Sequence, residues 1–529
     1  MFSSFEKGLL TSSFFRYFCH KYTPFMPIPL LHSVLSWFLK KRVHQIELFL
    51  KYPNEVQSEL LTKLIDQAKN TWFGKEYGFS SIKSYERFAD QVPISTYEDL
   101  AEIIARTRKG EQNLFWPTSI KWFAKSSGTT NAKSKFIPVS NEALNECHFK
   151  AGKDMLSLYF NNNSDSQLFQ GKALRLGGSK SLYEENNTYF GDLSAIIIEN
   201  LPLWAEIVST PSHKVSMMEE WETKMKAIIN ACINEDVTSL AGVPSWMLVL
   251  LKKIQEQTGK QNLLELWPNA EVYFHGGVSF NPYRNEYESI FPTNDFKYYE
   301  IYNASEGFFG IQDQNNSDEL LLMLDYGIFY EFIPMCTYGL PNQKVVRLAE
   351  VEKDKNYAVV ISTNAGLWRY QIGDTIRFTS TSPYRFRITG RTKHYINVFG
   401  EELVIENAET ALADVCITHQ TAVIDFTAGP VFMEGKSKGK HEWIVEFKSP
   451  PKNIDQFMSD LDARLQELNS DYEAKRYKNM TLDPLEIHVG RANLFHDWLK
   501  ERNKLGGQNK IPRLSNSREF IDVLLEMNC

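Results

Sequence analysis

The sequence predicts an α/β protein with a smaller terminal domain of α+β type, and three observations carry that prediction. Short apolar runs that end in glycine or polar turns alternate with amphipathic helical segments through the middle of the chain, the pattern of parallel strands joined by helices. At 529 residues the chain exceeds what one hydrophobic core usually organises, so at least two domains are expected. Past Arg391 the texture changes to alternating strands (Trp443 to Phe447, Leu485 to Val489) and one amphipathic helix bearing Ile454, Phe457, Met458, Leu461 and Leu465. The expected boundary therefore falls near Lys393, with a large domain over 1–392 and a small one over 393–529.

The elements follow in order. Pro24 to Leu39 is apolar and aromatic, but Pro27, Pro29 and His32 break it, and it is shorter than the roughly 20 residues a membrane-spanning helix needs. It reads as a segment docked on the main body. Lys40-Lys41-Arg42 directly after it leaves contact with a membrane surface as the alternative. Val56, Leu60, Leu61, Leu64, Ile65 and Ala68 share one helical face, and a short helix is expected around Tyr85 to Ala89. Ser95 followed by Glu98 predicts a capping box ahead of Leu100 and Ile103. Lys121 to Ala124 suits a strand, and Ser140 a helix cap. Met217 to Cys232 and Pro244 to Glu256 are helical in pattern. Val272 to Gly277 and the run from Lys297 are strands, as are Tyr357 to Ser362 and Tyr384 to Arg391.

Composition narrows the function. Hydrophobic residues make up 43% and charged residues 23%, as in soluble globular proteins. The net charge of −7 argues against wholesale nucleic-acid binding and suits a cytoplasmic enzyme. Six cysteines, widely spaced and without a C-x-x-C pair, predict free thiols rather than disulfides or zinc. The charged start and cleavage site of a signal peptide are absent from the N-terminal stretch.

The most chemically pointed stretch is Ser126-Ser127-Gly128-Thr129-Thr130, with Lys125, Lys133 and Lys135 around it. Hydroxyl and backbone N–H donors, a glycine that admits close approach and nearby ammonium groups together suit a phosphate. The same composition also suits a polar surface turn. The spacing is not that of a Walker loop, and Gly435-Lys436-Ser437 reads as a basic hairpin tip instead. No G-x-G-x-x-G follows a strand, which leaves a nicotinamide site unsupported. His275 beside Gly276 and Gly277 is read as a packed histidine.

Taken together these landmarks resemble one family, the Gretchen Hagen-type acyl acid amido synthetases, a branch of the adenylate-forming superfamily. Ser126 to Thr130 with Lys135-Phe136-Ile137-Pro138 resembles the family's first signature. Tyr302-Asn303-Ala304-Ser305-Glu306-Gly307 is similar to its Y-x-x-S-E-G element, and Tyr370-Gln371-Ile372-Gly373-Asp374 to its Y-x-[VI]-G-D. Gly390-Arg391-Thr392-Lys393 with Gly400-Glu401 resembles its hinge, and Lys510 to Arg513 its closing K-x-P-R. The match runs from about Thr71 to Arg513 in family order.

The resemblance implies the adenylate-forming fold: a large α/β domain with sheets flanked by helices, and a small mobile C-terminal domain. It also implies a two-step reaction. A carboxylate attacks the α-phosphate of ATP to give an acyl-adenylate, and an amine, typically of an amino acid, then displaces AMP. Ser126, Ser127, Gly128, Thr129, Thr130 and Lys135 are assigned to the triphosphate, Glu306 to Mg²⁺, and Tyr302 with Ser305, Gly276 and Gly277 to the adenylate. Asp374 is assigned to the ribose hydroxyls, Arg391 to ribose or α-phosphate, Lys393 to the hinge, and Lys510 to the adenylating pose. Transfer to a thiol (coenzyme A or a carrier) and a non-catalytic adenylate or acyl-acid binder are the alternatives. Plant members place an arginine in the helix after the first signature; here that helix carries Glu142, Glu146 and His148. The plant substrates are therefore not carried over.

Overall fold

A computed structural model of the chain describes residues 42–126, 135–177, 182–218, 220–280, 283–392, 395–435, 437–479, 481–502 and 511–528. The N-terminal aromatic segment lies outside them.

The dominant element is a sheet of twelve strands. Across one half, Ser209–Thr210, Lys172–Arg175, Val237–Gly242, Val272–Gly276 and Lys297–Ala304 run parallel, linked by helices such as Pro244–Thr258. From Lys297–Ala304 onward the pairing is antiparallel, through Gly307–Ile311, Leu320–Leu322, Tyr384–Arg391, Tyr370–Thr381, Asn356–Thr363, Ile328–Pro334 and Val346–Arg347. The parallel sheet expected from sequence is thus only half of the sheet. Short turns in the second half, such as the two residues Ser305 and Glu306 between paired Ala304 and Gly307, leave no room for a crossover helix. Lys297–Ala304 is the seam between the halves.

Burial follows the sheet. Asn356–Thr363 is buried along almost its whole length, as a central strand covered on both faces must be. The helix Pro53–Ala68 packs on the antiparallel half; its Gln57, 3% exposed, donates to the carbonyls of Leu324 and Ile328 and accepts from Tyr330 N–H. A bend at Tyr52, ahead of Pro53, separates this helix from another over residues 42–51. Against the helix Tyr85–Gln91, Arg369 and Glu331 form a buried ion pair (2.8 Å), with Tyr85 donating to Glu331. A second, four-stranded sheet holds Trp122–Ser126 and Lys135–Val139 as an antiparallel pair.

The helix Tyr97–Arg108 corrects one expectation. Its capping group is Thr96, whose N–H and hydroxyl both donate to Asp99, one residue later than the box read from Ser95 and Glu98. Ser95 is drawn away because its hydroxyl donates to Trp368 O (2.8 Å) and its backbone bridges to Tyr370. Ser140 does cap the following helix, accepting from Ala143 N–H at 2.9 Å.

After Arg391 the strands join other sheets. Tyr395–Ile396 pairs with Leu403–Val404, and Ala422–Val431, Lys440–Ser449 and Glu486–Gly490 form a three-stranded sheet backed by Ile454–Leu468. The core around Trp443 is continuous with apolar residues of the parallel half, among them Met247 and Leu251.

Candidate active site

The seam strand and its neighbours open onto one cavity of about 1140 Å³. Ser126, Lys135, Gly277, Tyr302, Ser305, Glu306, Asp374 and Arg391 all line it, although 265 positions separate the first from the last. Its far wall comes from beyond Arg391, through Asn397, Val398, Glu402, Phe432, Asn516 and Ser517. Ser127, Gly128, Thr129 and Thr130 lie outside the described residues, as do Lys393 and Lys510.

Each group is placed by local backbone. Gly373 has φ +89°, a conformation costly for residues with a Cβ, and register shifts flank this stretch of Tyr370–Thr381. The bulge turns Asp374 toward the cavity. There Tyr302 donates to Asp374 Oδ2 at 2.6 Å, and Arg391 Nε donates to Oδ1 at 2.7 Å. The Tyr302 ring packs against Phe309 and Phe386 and is 7% exposed, so its hydroxyl is committed to orienting Asp374, a role the sequence did not disclose. Arg391 likewise faces the cavity already paired.

Glu306 sits on the two-residue turn after the seam strand, deep in the cavity. Burial raises its carboxyl pKa, and the Lys135 ammonium pulls it partly back. Tyr370 Oη lies 3.4 Å from its Oε1. Lys135 stands over the Tyr97 ring at 5.6 Å, and Tyr97 Oη accepts from Phe136 N–H (2.9 Å). Gly276 meets the seam strand closely: a Cβ there would lie 2.4 Å from Ile301 O. It does not itself line the cavity; its neighbour Gly277 does, and the carbonyl of Gly277 accepts from Asn397 Nδ2 at 3.3 Å.

One expectation of a bland kind is met, at His275. His275 stacks on Phe280 (4.1 Å between ring centres), and burial lowers its pKa to about 3, as befits a packed neutral histidine rather than a base. Glu142 accepts from Thr118, Glu146 pairs with Lys63, and His148 is buried; none of the three lines the cavity. Glu401, beside Gly400, is fully buried and accepts from Phe399 N–H (2.6 Å) and from His441 (2.8 Å, the imidazole placed as donor), which pins the loop that carries Glu402 to the cavity.

Sequence reasoning missed Thr96, Tyr97, Glu98, Glu300 and Tyr370 as lining or supporting groups. Tyr370 opened a recognised motif, which was the available signal. Glu300 stood two residues before Tyr302 on the same strand face, which period-two alternation makes readable once the strand is known.

Comparison with solved structures defines the class. The chain superposes on an acyl acid amido synthetase, GH3.15, with a TM-score of 0.60 at 18% identity, covering 92% of this chain and 95% of that one. A 2-hydroxyisobutyryl-CoA ligase holding its acyl-AMP and CoA gives a TM-score of 0.54 at 13% identity over 90% and 92%. The fold is that of the adenylate-forming ligases, a mixed α/β architecture with a separate C-terminal domain. Within that class the chain belongs to the GH3 family, whose N-terminal, central and C-terminal domains match residues 42–296, 321–391 and 404–519. Among relatives of similar length, indole-3-acetic acid-amido synthetase GH3.3 of Arabidopsis thaliana is 23% identical over 94% of this chain and 95% of its own. The 4-substituted benzoates–glutamate ligase GH3.12 of the same plant is 24% identical over 89% and 94%.

Proposed function

We propose that this chain is an ATP-dependent ligase that activates a carboxylic acid as an acyl-adenylate and passes the acyl group to an amine, that of an amino acid. The observation that carries the reading is the convergence of Ser126, Lys135, Tyr302, Glu306, Asp374 and Arg391 on one cavity. The names of its relatives, amido synthetases and an acid–glutamate ligase, support the same chemistry.

In this reading Lys135 and the loop after Ser126 hold the triphosphate, Asp374 takes the ribose hydroxyls, and Arg391 reaches ribose or α-phosphate with its remaining donors. Magnesium fits the donor chemistry at Glu306: its carboxylate would hold the hydrated cation beside the phosphate oxygens of a nucleotide. When bound it would neutralise charge on the triphosphate. The residues themselves position and stabilise, which is most of the catalytic work at a phosphoryl centre. The chain divides into a large body up to Thr392 and a smaller one from Lys393, with Lys393 as hinge and Lys510 entering for adenylation. Among the described residues no helix is long and apolar enough to cross a membrane. The acidic balance and the free thiols Cys147, Cys232, Cys336 and Cys416 support a cytoplasmic setting.

The test is ATP–pyrophosphate exchange against a library of carboxylic acids, followed by mass spectrometry with amino acids and with coenzyme A. Acid-dependent exchange and an amide product are expected. A thioester in place of the amide would move the assignment to thiol transfer. Nucleotide binding without exchange for any acid would make the protein a binder.

A further inference from the structure

The wall of the cavity that comes from beyond Arg391 brings a carboxylate with it, that of Glu402. The Glu402 backbone sits at φ +40°, in the left-handed region, two residues after Gly400 at φ +87°. A residue with a Cβ stays there only when its surroundings hold it, and such positions gather at functional sites. Here Glu402 N–H donates to Asn397 Oδ1 (3.3 Å), Asn469 Nδ2 donates to Glu402 O (3.1 Å), and the neighbouring Glu401 is buried against His441. The side chain reaches the cavity with its Oε2 3.9 Å from Arg391 Nη1. Arg391 faces it from the strand Tyr384–Arg391, and the ammonium of Lys475 from the helix Ser470–Arg476.

The proposed reaction leaves one task without a residue. At neutral pH the amino group of an amino acid is an ammonium ion with no lone pair to attack with, so a proton must be taken from it before the C–N bond forms. The other carboxyls of the cavity are placed for different work. Asp374 is held between Tyr302 and Arg391. Glu306 and Glu98 both border Tyr370, at the phosphate end. Glu300 repels Asp318 on the far side of Tyr302 from Glu306. Glu402 instead borders Arg391, read above as reaching the α-phosphate, and the carbon to be attacked is joined to that phosphate through a single oxygen. We infer that Glu402 receives the acceptor: its carboxylate binds the ammonium group and takes a proton from it. The freed lone pair then forms the C–N bond and the C–O bond to the phosphate breaks. AMP leaves with that electron pair, and the surplus proton on nitrogen passes to the departing phosphate. This rests on the ATP-dependent reading above.

Hydroxylamine isolates this role, because it is already a free base at neutral pH and needs no proton removed. With an acid that supports pyrophosphate exchange, amide and hydroxamate formation are measured in wild type, Glu402→Gln and Glu402→Asp. The amide-to-hydroxamate ratio should fall about 100-fold or more in Glu402→Gln, the scale for losing a general base. Glu402→Asp, which keeps a carboxylate, should lie between the two. Both products come from one acyl-adenylate, so poor folding or weak ATP binding lowers them together and leaves the ratio alone. The deficit of Glu402→Gln should shrink as the pH is raised to about 9, where more of the amino acid is unprotonated. An unchanged ratio, or a deficit undiminished at high pH, would overturn the assignment while leaving the ATP reading standing. So would hydroxamate and thioester without any amide in wild type. Absence of acid-dependent exchange in wild type would overturn both.

Discussion

Tyr302 donates to Asp374 Oδ2 at 2.6 Å while Arg391 holds the opposite oxygen at 2.7 Å, so the carboxylate is fixed from both sides before any ligand arrives. The tyrosine is anchored in turn by Phe309 and Phe386. Hydrogen bonds to a charged group are worth roughly 1.5–3 kcal/mol. Tyr302→Phe should therefore lower kcat/KM for ATP in pyrophosphate exchange by about tenfold or more, with little change in the urea midpoint. An unchanged kcat/KM would mean that Asp374 needs no such restraint.

Glu306→Gln should reduce exchange by about 100-fold or more, the scale for removing one electrostatic partner from a reacting centre. The same carboxyl has its folded-state pKa raised above 4.5. The ionised form is the one that can hold a cation, so exchange should fall as pH drops through this raised value, earlier than an ordinary carboxylate would allow. The stability effect has the opposite sense: the native state binds the proton more readily than the unfolded one, and that contribution is lost as pH rises. Without ligands, Glu306→Gln should thus be more stable than wild type at pH 8 in urea titrations.

Arg369 and Glu331 are 4% and 1% exposed, and Arg369 also donates to the carbonyls of Ala89 and Val92. Removing one partner strands a buried charge at a cost of about 3–5 kcal/mol. Glu331→Ala should show that loss in urea unfolding followed by circular dichroism. A loss under about 1 kcal/mol would indicate that water reaches the guanidinium.

His148 is buried, and desolvation lowers its pKa to about 4 from 6.5. The unfolded chain takes up this proton near pH 6.5 and the native state only near pH 4, so its contribution is full above pH 6.5 and lost as pH falls through that window. At about 1.4 kcal/mol per pKa unit the effect is on the order of 3 kcal/mol. The stability difference between wild type and His148→Leu should shift toward the variant by that order between pH 7 and pH 4.5, read from urea midpoints.

The fold class was legible because apolar runs and helical periodicity are local signals. What escaped was non-local. The antiparallel half was hidden because Gly307–Ile311 directly continues the motif after Tyr302 and read as one run with it. The cap moved from Ser95 to Thr96 because Trp368, 273 positions away, claims the Ser95 hydroxyl. At the site, the motif residues Asp374 and Glu306 could be picked from sequence, but the Tyr302 hydroxyl's commitment to Asp374 depends on a bulge at Gly373 and on packing from another strand. Glu300 bears no motif, and only its register beside His275 brings it into view.

Because Lys297–Ala304 is hydrogen-bonded to a neighbour on each side, the spacing between Glu300 and Tyr302 is set by the pleat itself. A single residue inserted before Glu300 would swing both side chains to the opposite layer at once. Variation among relatives should accordingly gather in the loops around the cavity, whereas the length of this one strand should tolerate no drift.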